Sequence, residues 1–177
     1  MVIDGSKALH KTVKQTFGQG VCIQRCQRHK IENVKGHLPK ELQTSVEIAM
    51  RQAYQSENVK PARRILNNLA SRLEIDYPGA SASLREGLEE TLTVIDLGIP
   101  KTLRRSLQTT NVIESALSVT EDVCRNVKRW RGGGMALRWT VTGLIEAEKR
   151  FKRMRGYRDI PFLIHTLKKK EKKEEAA

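Results

Sequence analysis

Between Lys40 and Leu97 the chain carries no strand signal, and this block limits the folds open to it more than any other feature. Leu42, Val46, Ala49, Met50 and Ala53 recur at helical spacing, as do Ile65, Leu66, Leu69, Ala70 and Leu73, and then Leu84, Leu88, Leu92 and Ile95. Residues spaced in this way share one face of an α-helix, so each run predicts a helix with one apolar stripe. Pro61 stands at the beginning of the second run, where a missing N–H costs little. The stretches "DYPGAS" and "DLGIP" mark the breaks.

Outside this block the periodicity changes. "MVID" is apolar and β-branched up to Asp4 and then meets Gly5-Ser6, which reads as a strand running into a turn. From Ser6 to about Phe17 the pattern is helical, through Leu9, Val13 and Phe17, and Gly18 and Gly20 close it. "VCIQRC" alternates like a short strand, and "QRHKIENVKGHL" predicts a polar helix ending near Gly36 and Pro39. Beyond the block, Thr110 or Asn111 can cap a helix from about Val112 to Val127. "RWRGGG" reads as a flexible break, because glycines are costly in a helix interior. A long helix follows from about Ala136 to Arg155, closed by Gly156, then the apolar patch "IPFLIHTL". The expected organisation is a strand–helix–strand–helix segment over 1–39, a helical insertion over 40–100, C-terminal helices over 101–167 and a disordered charged tail over 168–177. A sheet of two short strands is marginal by itself, which suggests a fragment of a larger α/β, mostly helical fold.

The helices also carry charge. The net charge is +13 and the pI about 10.0, a balance that points to a polyanion, nucleic acid first. No apolar run is long enough to span a bilayer, and the N-terminus lacks the basic head and apolar core of a secretory signal, so no membrane partner is expected. Three cysteines without disulfide spacing fit a reducing cytoplasm. From Lys101 to Arg158 there are 14 lysines and arginines against five acidic residues. Within that third of the chain Arg104, Arg105, Lys128, Arg129 and Arg131 are the candidates for phosphate-backbone contacts. Trp130, between two arginines, could stack on a base or cap the core, and Trp139 is expected in the core.

Two carboxylates stand out against this positive surround. Asp4 ends a strand and Glu114 begins a helix. Each alone reads as a surface acid, and Glu114 would in any case be favoured by the helix dipole. Together they could hold Mg²⁺ through oxygen ligands and support phosphoryl transfer. Cys26 and His29 have the spacing of half a zinc site, but Cys22, Cys124 and His37 supply no regular second half. A buried thiol and a hydrogen-bonded imidazole are therefore the favoured reading.

The stretch "VIDGSKALHKTVKQTFGQGVCIQRCQRHKIENVKGHLPK", with its Asp-Gly strand end and its "QRCxxHKxxNV" segment, resembles bacterial transposases of the IS256 type, related to the plant Mutator elements. "TTNVIES", which contains Asn111 and Glu114, resembles the second block of that family. Both blocks occur in order, and the resemblance extends to about Leu167. It implies a partial RNase H-like catalytic core interrupted by an all-α insertion, with Asp4 and Glu114 as the second and third members of an Asp-Asp-Glu triad that binds Mg²⁺. It also implies a role for Cys26 and His29 near the catalytic core, and DNA, at transposon ends and target, as partner, with a homo-oligomer in the parent enzyme and a location at the nucleoid. The family's first aspartate would fall on an earlier strand. The expectation is therefore a truncated chain, inactive alone, or alternatively a non-catalytic basic helical DNA-binding or transposase-inhibiting remnant.

Overall fold

The computed structural model describes residues 1–175 and is built almost wholly of helices. Strand β1 (Val2–Ile3) leads through helix α1 (Lys7–Phe17) to strand β2 (Gln24–Arg25), and the two strands pair in parallel with Val2 opposite Gln24 and Ile3 opposite Arg25. Helix α2 (Gln27–Lys35) follows at once, then α3 (Lys40–Tyr54) and α4 (Val59–Leu73). The third apolar run does not form one helix. It breaks into α5 (Pro78–Arg85), α6 (Leu88–Thr91) and α7 (Thr93–Asp96). Gly87, which takes a left-handed φ of 60°, makes the first of these breaks by turning the chain after Glu86. Then come α8 (Lys101–Leu107), α9 (Asn111–Cys124), α10 (Gly133–Arg150), a 3₁₀ turn at Tyr157–Asp159 and α11 (Ile160–Glu175).

Residue contacts divide the chain into two compact units. The first is Met1–Thr109 together with Arg155–Ala177, and the second is Thr110–Met154. In the first, the stripes read from sequence meet in one core. Val46, Met50 and Ala53 of α3, Leu66, Ala70 and Leu73 of α4, and Leu84 of α5 are buried together with Ile31 and Val34 of α2, Leu92, and Leu103 of α8. The helical block is thus packed into the same core as the helix before it and the helix after it. Ile160 and Leu163 of α11 pack on this core, which gives "IPFLIHTL" the role of an amphipathic helix face. A satellite core of Ile3, Val13 and Ile23 sits under the two strands, while Leu9 and Phe17, predicted to share the stripe of α1, stay exposed.

Two strands of two residues would not stand alone, and the helical block holds them. The buried Gln24 amide donates to Thr91 O at 2.9 Å and accepts from Val94 N at 2.9 Å, while Thr93 Oγ1 donates to Ile23 O at 2.6 Å. Side chains here replace the neighbouring strand that a larger sheet would supply, so each of these buried polar groups keeps a partner. The expected RNase H-like core is not shown: the described residues contain this one two-stranded sheet.

The second unit is a helical hairpin. Ala116 and Thr120 of α9 and Gly143 and Ala147 of α10 are the buried residues of its two helices, at i, i+4 spacing on each. A Cβ at Gly143 would lie 2.7 Å from Thr120 Cα. Glycine is therefore what lets the two backbones approach. Trp139, expected in the core, is half-buried.

Three expectations need correction. Thr110 is the N-cap of α9, but its hydroxyl makes no capping bond and instead donates to Glu114 Oε1 at 2.5 Å, and Asn111 is already the first helical residue. Gly133 and Gly134 of the "RWRGGG" break lie in the first turn of α10, where the N–H groups need no helical partner and glycine costs least. The tail from Lys168, predicted disordered from its charge, continues α11 to Glu175. Lys and Glu are good helix formers and here extend a helix already anchored by Ile160 and Leu163. The two last alanines of that predicted tail lie outside the described residues.

Candidate metal and nucleic acid sites

Asp4 stands at the end of β1, exposed, and its Oδ1 accepts from Ser6 N at 2.8 Å. Ser6 in turn caps α1 by accepting from Leu9 N at 3.3 Å. The strand end, the turn and the helix start are thereby tied together, and the carboxylate has a defined orientation. Gly5, next to it, has φ 106°. That conformation is open to glycine and strained for other residues. The exposed surroundings and oxygen donor of Asp4 suit a hard divalent cation. Glu114 lies in the first turn of α9, half-buried, beside the positive end of the helix dipole and on the Thr110 hydroxyl. It too offers carboxylate oxygen. Both donors fit Mg²⁺ by kind.

Cys26 is fully buried as the N-cap of α2, and His29 sits half-buried one turn on. Their ligand atoms lie within 4.8 Å of one another, as the C-x-x-H spacing on a helix start requires. Two such ligands make half of a zinc site. Asn111 is exposed at the first position of α9.

The basic candidates separate by burial. Lys128, Arg129 and Arg131 are exposed between α9 and α10, as is Trp130. Arg105 is exposed on α8, whereas Arg104 is only 5% exposed and donates through Nη1 to Ser56 O at 3.0 Å. Arg104, Arg105, Lys101 and Gln108 line a cavity of about 380 Å³ with Tyr54 and Gln55 from the end of α3.

Sequence reasoning missed a buried charge cluster next to Asp4. Arg25, on β2, fills the space between Gly5 and Gly87: a Cβ on Gly5 would lie 2.8 Å from its Nη2, and one on Gly87 2.5 Å from its Nη1. Its Nη2 pairs with Glu86 at 3.2 Å and its Nη1 donates to Glu86 O at 3.3 Å. Lys30, 1% exposed, donates to Ser83 O and Glu86 O. His10 Nε2 meets Glu90 Oε1 at 2.7 Å. The corner between α5 and α6 is therefore clamped onto the turn that carries Asp4. Arg25 and Lys30 lie in a polar segment with other cations, so no spacing in the sequence marks them.

Burial, reinforced by the Arg25 charge and opposed by Glu86 and Glu90, pulls the Lys30 ammonium from 10.5 down to about 8. A lysine whose folded pKa is lowered binds fewer protons than in the unfolded chain between those two values. The penalty is present in full below pH 8 and is relieved as pH rises toward 10.5, so stability increases across that window. The neutral amine still donates to both carbonyls. Urea unfolding of the chain is expected to gain roughly 1–3 kcal/mol between these limits relative to Lys30→Met. Parallel pH profiles for the two proteins would show that Lys30 is not the titrating group.

Comparison with known proteins places these features in a family. The family model described as "Transposase, Mutator family" matches residues 1–132, a span that holds Asp4, Cys26, His29, Arg104 and Glu114. The chain is 29% identical over 115 residues, 65% of its length, to the "Transposase for insertion sequence element IS6120" of Mycolicibacterium smegmatis. It spans about a third of that relative, 35% of its length. No solved structure matches. No helix among the described residues is long and apolar enough to cross a membrane.

Proposed function

Because the chain belongs to the Mutator family of transposases, we propose that it supplies catalytic and DNA-holding parts of an enzyme that cuts and rejoins DNA at the ends of an insertion sequence. The observation that carries this reading is the span of the family match, which takes in both carboxylates and the basic helix between them. Asp4 and Glu114 would hold Mg²⁺. Bound there, the ion would supply charge to a developing oxyanion and lower the pKa of a water or 3′-hydroxyl nucleophile.

The residues of this chain do the rest. The Ser6 N–H fixes one Asp4 oxygen, and Thr110 fixes one Glu114 oxygen, so neither ligand has to be ordered when a cation arrives. The Arg25–Glu86 clamp holds the Asp4–Gly5 turn against the helical block. Arg105, Lys128, Arg129 and Arg131 offer exposed cations to the phosphate backbone, a contribution that positions DNA without reading its sequence.

In an intact transposase containing this segment, Asp4→Asn or Glu114→Gln is expected to reduce Mg²⁺-dependent strand cleavage by at least about 100-fold, the loss that even an outer-shell defect can cause. Duplex binding, measured in parallel, stays unchanged. Wild-type cleavage by Glu114→Gln would remove that residue from the site.

A further inference from the structure

Three buried cations in the first unit are treated differently by their surroundings. Arg25 is balanced by Glu86 at 3.2 Å. Lys30 sits among carbonyls and sheds its proton easily, with its pKa near 8. Arg104 is compensated least, because the Glu57 carboxylate that attracts it is in direct contact with Lys101 instead. It is 5% exposed, makes no ion pair among the described residues, and is held only by a carbonyl, Ser56 O at 3.0 Å. A guanidinium does not deprotonate in a protein, so this charge stays. A buried cation without an anion is costly, and the cost is removed when an anion completes the site.

The cavity beside Arg104 is shaped for such a ligand. Lys101, Arg104, Arg105 and Gln108 recur at i, i+3, i+4 and i+7 along the α8 face and its end, so they share one side of the helix. Tyr54 and Gln55 from the end of α3 complete the lining. The lining holds three cations and no carboxylate; the nearest acid partner is Glu57, which takes Lys101 at 2.8 Å in an exposed pair. Exposed pairs of this kind contribute little and exchange readily with a competing anion. The end of α8 is fixed in place, because Gln108 O accepts from Gln27 N at 2.9 Å, the first N–H of α2.

We propose that this cavity is a seat for a backbone phosphate of duplex DNA, with Arg104 as its fixed floor, Lys101 and Arg105 as its charged rim and Gln55 and Gln108 as neutral donors. The arginine fork matches a phosphate's two oxygens, and its anchoring by Ser56 leaves it pre-organised. The inference rests on the transposase reading only for the choice of DNA over other polyanions.

The test is fluorescence anisotropy of a labelled duplex of arbitrary sequence, titrated with the full chain from low to physiological salt. Lys101 and Arg105 are exposed, so the double variant K101Q/R105Q keeps the fold, which a melting curve checks. Its log–log salt slope is expected to be shallower than wild type by about 1, the value for one lost phosphate contact. The control K40Q/R72Q removes the same charge from exposed helix positions elsewhere in the unit and is expected to change the slope by less than half as much. Equal slopes for the two variants would overturn the seat while leaving the cleavage tests of Asp4 and Glu114 untouched. Inorganic phosphate at constant ionic strength is expected to raise wild-type melting only weakly, because it can enter the seat but lacks the neighbouring phosphates of a duplex. Phosphate-specific stabilisation lost in K101Q/R105Q, without duplex binding, would reassign the cavity to a small anion and overturn the DNA form of the proposal.

Discussion

Replacing Gly156 by alanine is expected to cost about 2–4 kcal/mol, whereas the same change at Gly98 costs about 1–2 kcal/mol. Both glycines are left-handed, with φ of 73° at Gly156 and 64° at Gly98. Both variants therefore meet the same backbone penalty. They differ in what surrounds them. A Cβ on Gly98 meets nothing within 4 Å. A Cβ on Gly156 lands on the Leu103 backbone, and 2.7 Å from the Thr102 carbonyl carbon, where no side chain can rotate away. Gly156 is the entry of the C-terminal segment into the first unit. Thr102 Oγ1 donates to Asp159 Oδ2 at 2.8 Å and Ser106 Oγ to Arg155 O at 3.1 Å, so α8 and this segment are joined around the glycine. Urea unfolding followed by circular dichroism separates the two variants. Hydrogen exchange of α11 should also rise in Gly156→Ala, because undocking that helix is the cheapest way to relieve the clash. Equal destabilisation by the two substitutions would show that backbone conformation, and not close approach, accounts for the glycine.

The helical block is legible because its stripes are long and regular. α3 and α4 fall where Leu42–Ala53 and Ile65–Leu73 predict them. The third stripe reads as one helix because Leu84, Leu88 and Leu92 keep the helical spacing across Gly87, and periodicity does not register a left-handed turn that preserves it. What periodicity does not give is the sharing of one core by α2, the block and α8, which depends on contacts between residues far apart in sequence. The charged tail misleads for a local reason. Composition argues against a core, but a helix already anchored by Ile160 and Leu163 needs no core of its own to continue.

The site divides in the same way. Asp4 and Glu114 come from the resemblance, and their hydrogen-bond partners Ser6 and Thr110 from the structure. Composition groups Arg104 and Arg105 as equivalent cations. Burial separates them into a floor and a rim, since Arg104 is 5% exposed and Arg105 is exposed on the same side of α8. Arg25 and Lys30 have no signature at all, since a clamp of one arginine between two glycines is assembled only by folding.

The largest expected effect concerns metal ligation, and it supplies the most direct test of the central claim. If Asp4 gives an oxygen to the cation, then Asp4→Cys exchanges a hard donor for a thiolate, which Mg²⁺ accepts poorly and Mn²⁺ tolerates better. The measurement is strand cleavage by the intact transposase carrying Asp4→Cys, with Asp4→Ala as control, in Mg²⁺ and in Mn²⁺. Direct ligation predicts a loss of at least about 100-fold in Mg²⁺ for both variants, with Mn²⁺ restoring cleavage to Asp4→Cys and not to Asp4→Ala. Full activity of either variant in Mg²⁺, or an equal loss in both metals, would contradict the assignment of Asp4 as a metal ligand.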